Sequence, residues 1–307
     1  MTHREGRMLG RLAALCSSLL ILSVARAAPA VAEGVNLAFT GCGGMICIAV
    51  PLADGRNHVL LLDTGNVNSW LLSDTARALD LKLDPIEREG KVIPGIFRLG
   101  VQSVSLQGRA LSGKFLAFER DQAGELPPHV EGALAYTMFK DKVLQIDYPH
   151  HSVRVLDPPV AGASSPGSEL KLITFGKEGP PIVVGSGFSV DGRAVNAQID
   201  TCYTGTLLIY DRAIGELGLA GAAAHGQAKY FPYTDGGVNM KEAAVESVAF
   251  GRYVLARRPA RVYFSATGRN PLHQPDGLFE ATVGNALFAR SVITLDFHSM
   301  KIQVQPG

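Results

Sequence analysis

Two acidic turns stand where this sequence could do chemistry. The first is Asp63-Thr64-Gly65, reached at the end of the apolar run Val59-Leu60-Leu61-Leu62; the second is Asp200-Thr201-Cys202, reached from Ile199. One Asp-Thr-Gly turn is a weak signal, because such turns are common. Two Asp-Thr turns, each behind an apolar strand, are a stronger one. Two carboxylates held side by side cannot both ionise easily, since like charges repel. They share one proton and titrate as a unit. The ionised member of such a pair takes a proton from a water, and the water attacks an amide carbonyl. The neutral member supports the developing oxyanion and helps to protonate the leaving amine. Asp63 and Asp200 are the candidate catalytic residues, and this chemistry implies no metal and no cofactor.

The elements around the two turns repeat. Adding 149 carries Met138, Phe139, Val143, Leu144, Ile146, Asp147 and Tyr148 onto Leu287, Phe288, Val292, Ile293, Leu295, Asp296 and Phe297. Val153 and Val155 fall on Ile302 and Val304 at the same offset, which continues the alternation of a strand. An offset of 137 carries Leu62-Asp63-Thr64 onto Ile199-Asp200-Thr201, and also Leu71, Leu72, Asp74 and Ala76 onto Leu208, Ile209, Asp211 and Ala213. The two offsets differ by 12, so the second half carries a net insertion, for which Tyr230–Asn239 and Arg269–Gly277 are candidates. Asp74 and Asp211 are expected to cap short helices, with Gly218 as a helix stop. Asp147 and Asp296 lie in strand interiors on this reading and have a structural part. Each half thus predicts an apolar strand ending in Asp-Thr, a second strand with a short helix, several hairpins and a closing pair of strands.

The first block, Leu62-Asp63-Thr64-Gly65 followed by Asn68, Trp70 and Ser73, closely resembles the first active-site segment of the pepsin-like aspartic proteases. The second, Ile199 to Leu208, resembles the matching segment of bacterial retropepsin-like proteins. Val283-Gly284, and Leu134-Ala135 with Ala in place of Gly, fit the family's downstream apolar-apolar-Gly elements. The resemblance implies an all-β, mostly β architecture with short helices: a two-lobed pepsin-like acid-protease fold with its cleft between the lobes. It also implies that Thr64 and Thr201 lock the turns together through their hydroxyls and that Gly65 lets backbone approach the carboxylates. A flap is expected within Glu89–Gly100, and the aromatic loop of Tyr230, Phe231 and Tyr233 either lines a groove or packs on its own lobe. The chain departs from the pattern at Cys202, where the family has Gly, and at Asn66 and Ala135. Cys202 threatens to crowd the pair or to force a different backbone angle. As a nucleophile it is opposed by the adjacent carboxylates, which hold its proton on. The leading expectation is an aspartic endopeptidase acting as a monomer on a peptide or protein substrate. The alternative is a catalytically impaired peptide-binding protein of the same fold.

The rest of the sequence bounds the setting. The 307 residues are 47% hydrophobic with a formal net charge of +1, enough for a core and without the basic excess a nucleic-acid surface needs. Arg4, Arg7 and Arg11 precede an apolar stretch from Leu12 to Val24, and Ala30-Val31-Ala32 or Ala25-Arg26-Ala27 offers a cleavage site. Residues 1–32 therefore predict a signal peptide, a periplasmic or secreted protein, and no stable membrane insertion of the mature chain. Cys42, Cys47 and Cys202 remain after it, and Cys42 with Cys47 can close a small loop around Gly43-Gly44. The spacing of Cys and His fits no metal site, and His150-His151 reads as a solvated loop. The Pro-, Gly- and Ser-rich stretch 157–169 reads as a linker between an N-terminal β lobe, 33–156, and a C-terminal β lobe, 170–307.

Overall fold

The computed structural model describes residues 35–106, 108–158, 168–174, 181–231, 238–265 and 279–307. The signal-peptide segment, the linker residues 159–167, Tyr233 and the candidate insertion Arg269–Gly277 lie outside the described residues. Ser168 already begins a strand, just inside the stretch read as linker.

The first half runs β1 (Val35–Cys42), β2 (Met45–Pro51), β3 (Asn57–Asp63), β4 (Ser69–Leu72), α1 (Ser73–Ala78), β5 (Asp84–Arg88), β6 (Lys91–Leu106), β7 (Arg109–Phe118), β8 (Gly132–Ala135), β9 (Val143–Asp147) and β10 (Ser152–Leu156). The second half runs β11 (Ser168–Thr174), β12 (Pro181–Val190), β13 (Arg193–Ile199), β14 (Leu207–Ile209), α2 (Asp211–Glu216), α3 (Ala220–Ala224), β15 (Gln227–Phe231), β16 (Val238–Phe250), β17 (Tyr253–Ser265), β18 (Ala281–Val283), β19 (Ser291–Asp296) and β20 (Lys301–Pro306). The protein is mostly β with short helices, as expected. No helix among the described residues is long and apolar enough to cross a membrane.

Equivalent strand pairings occur in the two halves. β3 pairs in parallel with β8, placing Leu62 beside Leu134, and β13 pairs in parallel with β18, placing Ile199 beside Val283. The partner lies 72 residues downstream in the first case and 84 in the second, which is the 12-residue difference between the two offsets. The halves meet where β9 pairs antiparallel with β19. Leu144 faces Leu295 and Ile146 faces Ile293 around a central pair, Gln145 and Thr294, which are themselves 149 apart. Adding 149 on one strand and subtracting it on the other returns the same pairing, so a pseudo-two-fold axis passes between Gln145 and Thr294. Gln145 Nε2 donates to Thr294 Oγ1 there, at 3.2 Å. A six-stranded antiparallel sheet, β1-β10-β9-β19-β20-β11, thereby spans both halves. Leu144, Ile146, Ile293 and Leu295 are buried at its centre, each removing apolar surface worth about 1.5–3 kcal/mol from water.

Three local readings are corrected. Asp74 and Asp211 do not cap their helices: Leu72 and Tyr210 occupy the cap positions, and the aspartates lie inside the first turn. A carboxylate there still opposes the positive helix end, without an N-cap hydrogen bond. Both helices end as expected of a left-handed residue, at Gly218 in α2 (φ 65°) and at Asp80 in α1 (φ 54°). Leu219 N–H donates to Ile214 C=O and Leu81 N–H to Ala76 C=O, closing equivalent terminal motifs. Second, the offset of 137 does not persist past the second turn. Trp70 pairs with Ala133 and Leu208 with Thr282, so Leu208 matches Trp70, and the Asp200 turn is one residue longer than the Asp63 turn. Third, Asp147 and Asp296 end their strands instead of lying within them. Their part is structural: Asp147 Oδ1 accepts the His150 N–H, and Asp296 Oδ1 accepts from His298 and Ser299. His150 is exposed in that turn.

Candidate active site

Each aspartate is delivered by a buried strand. Leu60, Leu61 and Leu62 precede Asp63, and Ala197 and Ile199 precede Asp200; all five are buried. The turns are then tied across the pseudo-two-fold axis. Thr64 N–H donates to Thr201 Oγ1 (3.0 Å) and Thr201 N–H donates to Thr64 Oγ1 (3.1 Å). Each hydroxyl donates to the strand of the opposite half: Thr64 Oγ1 to Ile199 C=O (2.9 Å) and Thr201 Oγ1 to Leu62 C=O (2.5 Å). Both threonines are buried, so these four bonds are made away from water.

The result brings a carboxylate oxygen of Asp63, one of Asp200 and the Cys202 sulfur within 4.8 Å of one another. Gly65 N–H donates to Asp63 Oδ1 at 3.0 Å, and Cys202 N–H donates to Asp200 Oδ1 at 2.8 Å. Tyr203 N–H adds a bond to Asp200 Oδ1 at 3.2 Å. The backbone donors are thus equivalent in the two turns although the residue types differ. Burial, and then the charge of Asp200, push the Asp63 carboxyl well above the ordinary carboxylate range. One proton is therefore retained by the pair at pH values where isolated carboxyls have lost theirs.

Gly65 and Cys202 clarify what the glycine is for. Neither has a positive φ, so the feared change of backbone angle at Cys202 does not occur. The requirement is space. A Cβ at Gly65 would lie 2.4 Å from Asp200 Cγ. Gly65→Ala is expected to displace Asp200, costing about 1–3 kcal/mol of stability by overpacking and most of any hydrolytic activity. Thermal melts and kcat/KM on one substrate check this together. On the other side the Cys202 side chain packs against a first-half apolar cluster that includes Met45, Cys47, Leu61 and Trp70. Its sulfur is 3.8 Å from Leu62 C=O, to which the thiol donates, and lies within 4.8 Å of an Asp63 carboxylate oxygen. Burial, and then the charges of Asp63 and Asp200, push the thiol pKa far up, which keeps it protonated and opposes a thiolate role.

The supporting shell contains a residue that sequence reasoning missed. Asn285 is buried and its Nδ2 donates to Thr201 C=O at 2.5 Å and to Gly44 C=O at 3.1 Å; its Oδ1 accepts Tyr148 O–H at 2.6 Å. It ties the second turn to two elements of the first half. The available signal was that Asn285, two residues before the matched block, falls on Tyr136 at the 149 offset. Gly44 belongs to the turn closed by the Cys42–Cys47 disulfide, which the structure contains as the spacing allowed. Gln198 Nε2 donates to Gly65 C=O (3.2 Å), and Ser69 Oγ accepts Ala135 N–H (3.0 Å), where Ala replaces the family's Gly. Asn66 uses its Oδ1 to accept Val67 N–H (2.9 Å), bracing the first turn. Residues Glu89–Gly100 lie in the β5–β6 hairpin, whose two-residue tip is Glu89-Gly90, both at positive φ.

No family model and no curated protein matches the sequence. Solved structures do match the fold. The basic 7S globulin from soybean has TM-score 0.50 at 11% identity, covering 89% of this chain and 95% of that chain. Conglutin gamma, a basic 7S globulin from lupine seeds, has TM-score 0.50 at 10% identity, covering 90% and 95%. An aspartic proteinase from Irpex lacteus has TM-score 0.49 at 12% identity, covering 89% and 97%. The fold is that of the basic 7S globulins. In this chain the turns that carry Asp63 and Asp200 meet at the pseudo-two-fold axis.

Proposed function

We propose that the protein is an aspartic endopeptidase that hydrolyses peptide bonds with a water activated by Asp63 and Asp200. The observation that carries this reading is the approach of the two carboxylates, held by reciprocal threonine bonds with equivalent N–H donors. The ionised carboxylate accepts a proton from the water as its oxygen attacks the scissile carbonyl carbon. The neutral carboxyl donates to the carbonyl oxygen and, on collapse, a proton passes to the departing amine. Both carboxylates come from one chain, which supports action as a monomer. The Cys42–Cys47 bond supports an oxidising, periplasmic or secreted setting. The near-zero net charge supports a peptide or protein substrate over nucleic acid.

The test is cleavage of an unfolded protein mixture from acid to neutral pH, with the folded Asp63→Asn variant beside it. Cleavage by the wild type alone supports the proposal; equal cleavage by both rejects it.

One observation favours a second reading, a peptide-binding protein with impaired catalysis: the Cys202 thiol occupies space beside Asp63 that a glycine would leave open. Cys202→Gly is expected to keep or raise the rate, because the N–H to Asp200 is a backbone group and survives the change. Turnover that appears only in Cys202→Gly establishes the binding-protein reading. Complete loss of a wild-type activity in the folded variant instead gives the thiol a role in the reaction.

A further inference from the structure

A few residues beyond Asp63, Asn68 lines a cavity of about 370 Å3 whose walls include Arg98, Val101, Lys114 and Leu116. Strand register explains why these side chains meet. Trp70 pairs with Leu116 in the parallel β4–β7 ladder, and Arg98 stands opposite Leu116 across β6–β7. β6 then bulges, so that Val101 stands opposite Lys114, two residues from Leu116. In a regular strand Arg98 and Val101, three apart, would face opposite sides of the sheet. The bulge puts both on the face of Trp70 and Leu116, which is the face Cys202 packs against. The cavity thus lies on the dyad side of the first half.

Its charge is one-sided. Among the described residues, no acidic one lines it. Neither Arg98 nor Lys114 has an ion-pair or hydrogen-bond partner among the described residues. Asp84, the cross-strand neighbour of Arg98, is held by Lys82 at 2.7 Å. Arg77 is paired with Asp74 and Glu119, and Lys142 with Asp157. Arg98, Lys114 and Val101 are exposed and Leu116 is half-buried; the two cations, over the apolar surface of Val101 and Leu116 as a floor, create a positive local potential. They suit a carboxylate on a short methylene stem, with the guanidinium fork and the ammonium on the oxygens and the stem on the floor.

We propose that this cavity is a substrate subsite for an aspartate or glutamate side chain, with Arg98 and Lys114 as its specificity-determining residues. The proposal deepens the peptide-cleft reading above and names the substrate class: peptides with an acidic residue near the site of cleavage. The test uses two matched sets of peptides, carrying Glu or Gln at each position around a common cleavable centre. Expected is a preference for Glu at one position on one side of the scissile bond. In Arg98→Gln/Lys114→Gln the ratio of kcat/KM for Glu over Gln at that position falls about tenfold, the effect of losing roughly 1.4 kcal/mol of charge-assisted contact. A second exposed pair away from the cavity lining, Lys140→Gln/Arg290→Gln, equal in charge change, leaves the ratio intact. A wild type that cleaves with the same Glu/Gln ratio as the double variant overturns the subsite. If nothing is cleaved, the peptidase reading fails separately, and the same peptides are bound to the intact protein by fluorescence anisotropy at low salt. Tighter binding of the Glu peptide that is lost only in Arg98→Gln/Lys114→Gln supports the subsite; equal binding of Glu and Gln peptides overturns it.

Discussion

Asp63→Asn and Asp200→Asn are each expected to lower kcat/KM by about 10³-fold or more, near the upper range for removal of a general acid–base group. Neither is expected to unfold the protein. An asparagine Oδ1 accepts the Gly65 or Cys202 N–H as the carboxylate does, and the threonine bonds do not involve the carboxylates. The same substitution at Asp63 should change the pH dependence of stability, with a definite sign. Burial and the neighbouring Asp200 raise the folded-state pKa of Asp63 above its unfolded value. Between those two pKa values the folded chain binds more protons than the unfolded one, so stability falls as pH rises through that window. The contribution is fully present below the unfolded carboxyl pKa and is lost as pH passes the folded one. Asp63→Asn removes the titration. Its melting temperature is expected to exceed that of the wild type by about 3 °C or more at mildly alkaline pH, on the order of one kcal/mol for a protein of this size. The difference should vanish below about pH 3, where both states of the wild-type residue are protonated. Scanning calorimetry of both proteins across the range reads the effect. A wild type whose stability is flat in pH would show that Asp63 is not held against ionisation. Activity should fall on both flanks of its pH profile. In acid, both carboxyls are protonated and no base remains; in alkali, the shared proton is gone and no acid remains.

The parts of this site that were legible in the sequence are those fixed by strand pattern. The alternation at Val143–Asp147 and Ser291–Asp296 identified two strands at a constant offset, and those strands pair with each other at the axis. The run Leu60–Leu62 before Asp63 gave the strand that positions it. The register beyond the second turn was not legible for a physical reason. Leu71-Leu72 can be laid on Leu208-Ile209 or on Ile209-Tyr210 with similar apolar match, so the extra residue in the Asp200 turn leaves little trace in hydropathy. Only pairing with Ala133 and Thr282 reveals it. The Arg98–Lys114 cavity was hidden for a related reason. A bulge reverses the side-chain alternation of β6, and bulges are set by backbone pairing, which no single-strand pattern reports. Asn285 was hidden because its three partners, Thr201, Gly44 and Tyr148, come from three distant stretches of chain.

Thr64→Val is expected to destabilise the protein by about 3 kcal/mol and to lower activity about a hundredfold, although valine has nearly the same shape. The shape argues that no cavity is made, so the cost is polar. Thr64 Oγ1 accepts Thr201 N–H and donates to Ile199 C=O. Valine leaves that N–H and that C=O buried at the centre of the molecule, and each unsatisfied group costs about 1–3 kcal/mol. For a chain of this length the melting temperature should drop by roughly 6–12 °C. The Ile199 carbonyl belongs to the residue before Asp200, so the relief available to the backbone is a shift of the Asp200 turn. A displacement near 1 Å in a catalytic group costs about a hundredfold in rate. Thr64→Ser keeps the hydroxyl and both bonds, and should retain most of the stability and activity. The comparison of Val with Ser separates the hydroxyl from the methyl group. Thr201→Val, which strands Thr64 N–H and Leu62 C=O by the same logic, should match Thr64→Val within a factor of a few. The double variant should be less destabilised than the sum of the singles, because all four orphaned groups lie in one network and relax together. A Thr64→Val protein with wild-type melting and turnover would mean that the two turns are positioned by the six-stranded sheet alone and that the threonine bonds are incidental to the approach of Asp63 and Asp200.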